Sequence, residues 1–476
     1  MTDMDLSRDF IDRTRKLLGE KEMDAFLQAL DTESPVSIRL NRKKCMDTVP
    51  PQGSPVPWCK SGFYLASRPT FTFDPLFHAG CYYVQEASSM ILEQVLRQYV
   101  HGPVIMLDLC AAPGGKSTLA RSILPEGSML VANEVMRNRA QILAENLIKW
   151  GDPGVIVTGN DPADFAPLEN TFDVILTDVP CSGEGMFRKD PVAVEEWSVE
   201  NVGLCWQRQR RILRDIWNCL KPGGILIYST CTYNREENED NVRWISEELG
   251  ADILPVDVSD DWRISGNLAG YDFPVYRFLP HHTVGEGLFM AVLRKTGEWK
   301  DQDLAERVSS RKEKKGKGGG RMPVAKVPDY VKSWIKSPEL YAWYVEGDGI
   351  VALPAAYGSF YERMKSRLRI LHAGITVAAL KGKDFVPAHA LAMSVYQNPD
   401  VFEKAELTYE QAVSYLRKEA VVLPLEVPKG LVMVTYRQLP LGFVKNLGNR
   451  ANNLYPQEWR IRSGYLPEQL VFPLDM

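Results

Sequence analysis

Between Val104 and Leu293, short apolar runs alternate with helical patterns, and few folds accept that order. Val104-Ile105-Met106-Leu107-Asp108-Leu109 opens the region as a run apolar enough to be buried on both faces. Further strands are expected at 129–133, 155–158, 173–178, 224–230 and 287–293, with helices near 116–124, 137–149, 197–219 and 235–248. Alternation at this spacing predicts an α/β domain over about 80–295, built on a doubly wound, Rossmann-like parallel sheet. Such a sheet binds ligands beyond the carboxyl ends of its strands.

The first strand runs into Cys110-Ala111-Ala112-Pro113-Gly114-Gly115, all small or turn-forming, and Lys116-Ser117-Thr118 then opens a helix. Glycines there let the backbone approach a ligand that a Cβ would exclude, and the helix N-terminus favours negative charge. A phosphate-binding P-loop is one alternative, since Gly115-Lys116-Ser117 fits its end. That motif needs a glycine where this chain has Cys110, so the cradle is incomplete.

At 476 residues the chain is long enough for two or three domains. No apolar run approaches the roughly 20 residues of a membrane helix, and the acidic start Met1 to Asp12 is unlike a secretory signal. Eight scattered cysteines without a Cys-x-x-Cys pair exclude a disulfide framework or a zinc ribbon as the organising device. A reducing, cytoplasmic setting is expected. The six histidines show no ligand spacing, so no metal site is expected. The net charge of −5 hides an asymmetry. Residues 1–306 carry 31 Lys and Arg against 45 Asp and Glu, whereas 307–476 carry 25 against 16. Contact with a polyanion must therefore come from local patches and from the C-terminal third.

Residues 1–79 read as a small α+β domain, with two amphipathic helices in 7–30 and a strand from Val36 that ends in Arg39, Arg42, Lys43 and Lys44. Basic residues interleaved with Trp58, Phe63 and Tyr64 suit single-stranded RNA, and equally suit a solvated edge. Residues 296–321 form a basic, Gly-rich linker, and 322–476 a β-rich region with strands at 431–436 and 441–444. Met186 to Lys189 and Gln207 to Arg214 read as a basic wall that could follow an RNA backbone, or as the exposed face of an amphipathic helix.

Chemistry concentrates after the strands. Glu134 ends the second, where a carboxylate about 20 residues past the glycine loop can hold a ribose diol. Asp161 follows the third, where it can meet an adenine amino group or cap the next segment. The fourth delivers Asp178-Val179-Pro180-Cys181-Ser182-Gly183-Glu184-Gly185, and the fifth ends in Ser229-Thr230-Cys231-Thr232. A lone cysteine is usually a small buried hydrophobe, and Cys205, Cys219 and Cys110 fit that description. Two cysteines after adjacent strands at one open edge do not.

The segments 110–116, 178–185 and 229–232, in this order and spacing, resemble the Sun/Nop family of RNA cytosine-5 methyltransferases. His78-Ala-Gly and Tyr83-Val-Gln-Glu-Ala-Ser-Ser-Met90 resemble the family's entry segment, and the layout is similar to the bacterial small-subunit rRNA branch of the RsmF/YebU type. The resemblance implies a class I methyltransferase sheet, S-adenosylmethionine as cofactor, RNA as partner and a PUA-like RNA-binding C-terminal region. It implies that Cys110, Ala111, Ala112, Pro113, Gly114, Gly115, Lys116 and Glu134 hold the cofactor, with Asp161 near its adenine. Asp178 would reach both cofactor and base, Cys231 would be the nucleophile and Cys181 its helper. A monomer that needs no membrane is expected.

Cytosine C5 is a poor nucleophile, and thiolate addition at C6 turns it into an enamine carbon that can attack a methyl sulfonium. DNA cytosine-5 methyltransferases use the cysteine of a Pro-Cys motif, here Cys181, whereas the second cysteine, Cys231, fits the RNA type. A tRNA-directed relative and a non-catalytic RNA-binding assembly factor stand as alternatives on the sequence alone.

Overall fold

The computed structural model describes Met4 and residues 6–46, 48–297, 327–465 and 470–474. The basic stretch 307–321 lies outside the described residues.

The central sheet has nine strands. We number them β1 (Ile105–Asp108), β2 (Met129–Asn133), β3 (Val155–Thr158), β4 (Phe172–Asp178), β5 (Leu220–Thr230), β6 (Ala251–Leu254), β7 (Tyr276–Phe278), β8 (Leu288–Lys295) and β9 (Ile370–Ala373). Their order is β6-β8-β5-β4-β1-β2-β3-β9, with β7 paired to β8. Strands β1 to β5 are mutually parallel, as the alternation predicts. The late strand β8 completes the sheet but runs antiparallel to β5, so the sheet is mixed rather than wholly parallel. Successive strand residues face opposite sides. Met106, Leu130, Val157 and Leu176 thus join the core that holds α3 (Gly115–Ile123) and α4 (Arg137–Trp150). Leu107, Val131, Ile156 and Ile175 join the core beneath α5 (Val199–Trp217).

The helix expected at 197–219 is α5, whose start is capped by the Ser198 side chain accepting from the Asn201 N–H; a short helix, Pro191–Glu196, precedes it. The helix expected from 235 starts only at Glu239. The reason is local: Asn234, Glu237 and Asn238 are turned inward and spend their polar atoms on a buried network.

The N-terminal segment forms α1 (Arg8–Leu18), α2 (Glu20–Leu30) and a four-stranded sheet including Val36–Leu40, Gly62–Leu65 and Tyr82–Val84. The helices pack on Phe187, Trp197, Tyr233 and Leu279, with Phe10 edge-on to Phe187 at 5.1 Å and Phe26 edge-on to Tyr233 at 5.0 Å. Each such aromatic pair contributes roughly 0.5–1.5 kcal/mol beyond its buried area.

The proposed RNA-stacking edge is corrected here. Arg39 is fully buried, 4.3 Å over the Trp150 ring, and donates to Gln85 and Thr118. Trp58 is buried too, and the Lys44 ammonium donates to the carbonyls of Ala79 and Lys149, burial drawing its pKa down to about 8. These side chains join the N-terminal sheet to the central domain, because their partners close over them.

The region after 327 contains two further four-stranded sheets, one with Tyr341–Glu346, Gly349–Pro354, Ile375–Lys381 and Asp384–Pro387, the other with Glu403–Glu406, Gly430–Tyr436, Leu439–Asn446 and Ala451–Asn453. A boundary at 322 is not a clean division, since β9 adds antiparallel to β3 and extends the central sheet. The last sheet shares a core with the N-terminal one, through Ile38, Leu40 and Tyr82 against Leu407, Val432 and Tyr455.

Candidate active site

Strand order reverses between β1 and β4, and the carboxyl ends of β1 to β5 meet at that switch point. Gly114 has φ 114°, and a Cβ there would lie 3.3 Å from Leu143, so the turn needs glycine. Ala111 N–H donates to the Asn133 carbonyl, while the Asn133 side-chain amide donates to the carbonyls of Leu109 and Asn160. One buried asparagine thereby ties the ends of three strands together. The sequence singled out only its neighbour, Glu134.

Two cavities open on this edge. The larger, about 670 Å³, is lined by Cys110, Ala112, Glu134, Asp161, Asp178, Cys181, Cys231 and the apolar Val135, Pro162 and Ile212. The smaller, about 330 Å³, is lined by Tyr83, Gln85, Glu86, Pro113, Gly115, Lys116, Lys189, Glu286 and Gly287. Cys110, Ala112, Asp178, Met186 and Cys231 border both. All the predicted site residues therefore sit at or directly beneath this edge. The Tyr83–Met90 segment lines the smaller cavity, whereas His78 is buried away from it against the Thr72 carbonyl, burial pulling its pKa to about 3.

Glu134 is buried, accepts from the Met136 N–H and lies 3.5 Å from Arg139. Asp161 caps the turn Pro162–Phe165, as one of its two sequence readings expects, and also lines the larger cavity. Asp178 accepts from Lys116 Nζ at 2.7 Å and from Ser229 Oγ at 2.8 Å. Burial opposes the Lys116 ammonium, but the Asp178 carboxylate, assisted by Asp108, outweighs it and raises the lysine's pKa. Asp108 is fully buried and accepts from Ser117 Oγ at 2.6 Å, while its Oδ1 has no partner; burial pushes this carboxyl up to about 7.

Cys181 Sγ and Cys231 Sγ are 3.1 Å apart, and the Cys231 N–H points at Cys181 Sγ. The hydrogen bond with Cys231 and then burial hold the Cys181 thiol well above its ordinary range. Burial likewise raises the Cys110 thiol, which fits a packing role. A polar network missed by sequence reasoning holds the two cysteine loops. The Glu237 carboxylate accepts from the Ser182 N–H at 3.1 Å, Asn234 Nδ2 at 2.8 Å and Gln209 Nε2 at 2.6 Å. Glu184 accepts from the N–H groups of Tyr233 and Asn234 and from the Trp197 indole. Burial pushes Glu237 up to about 7. Its only sequence signal was the polar run Asn234 to Asn238, which helix periodicity absorbed. Gly185 N–H donates to the Cys231 carbonyl, and a Cβ on Gly185 would lie 2.9 Å from that oxygen, so glycine is required where the loops touch.

The basic wall is part interior and part exposed. Arg188 is buried against Glu286. Arg210 stacks on Trp206 and Trp244, and the exposed Arg208 and Arg211 border the larger cavity.

The donor set suits S-adenosylmethionine: separate carboxylates at the ends of β2, β3 and β4 can meet a diol, an adenine amino group and an ammonium. The unpartnered Asp108 oxygen lies below the same loop. Comparisons with known proteins agree. Residues 98–294 match the model of 16S rRNA methyltransferase RsmB/F, 6–87 the N-terminal domain of 16S rRNA methyltransferase RsmF, and 402–461 the methyltransferase RsmF PUA domain. Ribosomal RNA small subunit methyltransferase F of Enterobacter sp. (strain 638) is 30% identical over 490 residues, covering 96% of each chain. Its counterpart from Pectobacterium atrosepticum is 30% identical, again with 96% of each covered. Among solved structures, a methyltransferase homolog protein from Pyrococcus horikoshii superposes with TM-score 0.52 at 29% identity, over 61% of this chain and 96% of that one. NSun6 from the same organism, solved with SFG, has TM-score 0.52 at 20% identity over 61% of this chain and 99% of that one, a likeness of fold.

Proposed function

The chain belongs to the ribosomal RNA small subunit methyltransferase F family and is an S-adenosylmethionine-dependent RNA methyltransferase; from that premise we propose that it methylates C5 of cytosine in small-subunit rRNA through a covalent Cys231–C6 adduct. The observation that carries this reading is the pair of thiols 3.1 Å apart on the border between two cavities. A methylating enzyme that needed no covalent adduct would need neither.

The larger cavity suits the cofactor, held by the 110–116 loop, Glu134 and Asp161, and the smaller suits an unstacked base. Bound S-adenosylmethionine supplies an electrophilic methyl group. Cys181, whose raised pKa keeps its proton, donates a hydrogen bond to Cys231 Sγ, the sulfur that attacks as a thiolate. That thiolate adds to C6, forming the C–S bond, while Asp178 with its partner Lys116 shares a proton with base N3. After C5 takes the methyl, its proton must leave and the C–S bond must break. Cys181, having given its thiol proton to solvent, accepts the C5 proton; the C5–H electron pair forms the C5–C6 double bond, the C6–S bond breaks, and its electrons return to Cys231 Sγ. The 402–461 module supplies RNA contact away from the base.

The test uses methyl-labelled S-adenosylmethionine with small-subunit rRNA and tRNA, free rRNA and assembled subunits being separate arms. Wild type is expected to label cytosine C5 in small-subunit rRNA, and Cys231→Ala to label nothing. Cys181→Ala is expected to accumulate a protein–RNA adduct that survives denaturing gels. An adduct with Cys231→Ala instead would reverse the roles. Labelling of tRNA alone would transfer the reading to a tRNA substrate, and no labelling with a folded protein would overturn the reaction.

A further inference from the structure

We propose that Glu22, His281 and His282 form a binding site for a zinc-class divalent cation, tying α2 to the loop that leads into the smaller cavity. The three residues are unrelated in sequence spacing, with Glu22 lying 259 positions before His281. In the fold, His281 Nε2 is 2.8 Å and His282 Nε2 2.7 Å from the same carboxylate oxygen, Glu22 Oε2. One potential ligand atom from each residue falls within 4.8 Å of the others. Among the described residues this is the group of His, Cys, Asp and Glu side chains that meets that spacing.

Two imidazole nitrogens and a carboxylate oxygen converging on one point need positive charge or protons between them. A divalent cation answers the same convergence with neutral rings. Two histidines and one glutamate are a ligand set that zinc accepts, with water in the fourth position. Metal–ligand bonds of about 2.0–2.2 Å put tetrahedral ligand atoms about 3.3 Å apart, so the cluster must open by roughly half an ångström. Glu22, on the exposed side of α2 with its side chain 48% accessible, can move that far.

The two rings are held differently, His282 by an outer hydrogen bond and His281 by packing, its Nδ1 having no hydrogen-bond partner. His282 Nδ1 lies 2.9 Å from Ser265 Oγ, the outer hydrogen bond that fixes a ligating imidazole. Phe26, one turn beyond Glu22, holds the His281 ring edge-on at 5.6 Å. The ion would therefore fasten α2 to the 279–287 loop, whose end, Glu286 and Gly287, lines the smaller cavity. The two histidines are adjacent in sequence, and no spacing rule separates such a pair from an ordinary loop.

The full chain is dialysed against Zn²⁺, then metal-free buffer, and its metal content is measured beside Glu22→Gln and His282→Ala. Both substitutions are at accessible side chains, and circular dichroism checks folding. Wild type is expected to retain one more equivalent of zinc than either variant, with the shared cysteine background cancelling. Ser265→Ala is expected to weaken retention by about tenfold. Co²⁺ loaded instead should give ligand-field bands, lost in both variants, without a thiolate charge-transfer band. Equal zinc content in wild type and both folded variants would overturn the proposal, as would a cobalt spectrum that persists in them.

Discussion

Two pairs of thiols meet in this molecule, and only one of them is set in a cavity. At the N-terminal junction Cys45 and Cys81 are buried, 2% and 0% exposed, and share a hydrogen bond that lowers the Cys45 thiol and raises that of Cys81. At the open edge of the central sheet Cys181 and Cys231 also meet, and the Cys181 thiol is raised by its neighbour. The pairs differ in what surrounds them. Cys231 borders two cavities and lies on the same edge as the Lys116–Asp178 ion pair, whereas Cys45 and Cys81 belong to the packed core of Ile38, Leu40 and Phe63. Proximity of two sulfurs is thus no sign of chemistry. What sets Cys181 and Cys231 apart is access for a ligand and the hydrogen-bonded frame of Glu237 and Glu184 behind their loops.

The largest effect should separate the pairs outright. Cys231→Ala is expected to lower methyl transfer by at least about a thousandfold, as losses of a nucleophile do. Cys45→Ala should leave the turnover rate within about twofold. A comparable loss from both in single-turnover assays would break the comparison.

Next comes the frame. Glu237→Ala strips the acceptor from three buried donors, so a loss of about 3 kcal/mol is expected in urea unfolding. Glu237→Gln, which keeps an acceptor oxygen, should lose less, and equal losses would show that the network does not hold the loops.

A pH series sharpens the contrast between buried acids. Burial raises Asp108 from an ordinary 3.8 to about 7, so the folded chain holds this proton more tightly than the unfolded one. The resulting stability is full below about pH 4 and is lost as pH rises towards 7, at up to about 1.4 kcal/mol per pH unit. Asp108→Asn should flatten that slope, leaving stability near pH 4 little changed and raising it at pH 8. An unchanged slope in denaturant midpoints would place the titration elsewhere. The smallest effect is structural: Cys45→Ala should cost about 1 kcal/mol, the loss of one small buried group, seen as a lower midpoint with turnover intact.

Much of this was legible in the chain. The apolar runs located β1 to β5 and β8 closely, because a strand buried on both faces must be apolar throughout. The loop after each strand then carried the polar and sulfur-bearing residues of the site. Less was legible wherever a side chain's role depends on a partner far away in sequence. Arg39 and Lys44 looked like a surface for RNA, and their burial follows from Trp150, Thr118 and Lys149 closing over them. Residues 235–238 looked helical, until the strand ends claimed their polar atoms.

By itself the sequence determined the α/β alternation, the glycine turn and which polar and sulfur-bearing side chains follow the strand ends, since these depend on local pattern. The tertiary structure alone decided that β8 runs antiparallel, that β9 closes the sheet edge, that Glu237 braces both cysteine loops and that Cys181 and Cys231 nearly touch. Those features rest on contacts between segments 50 or more residues apart, whose distances no periodicity encodes.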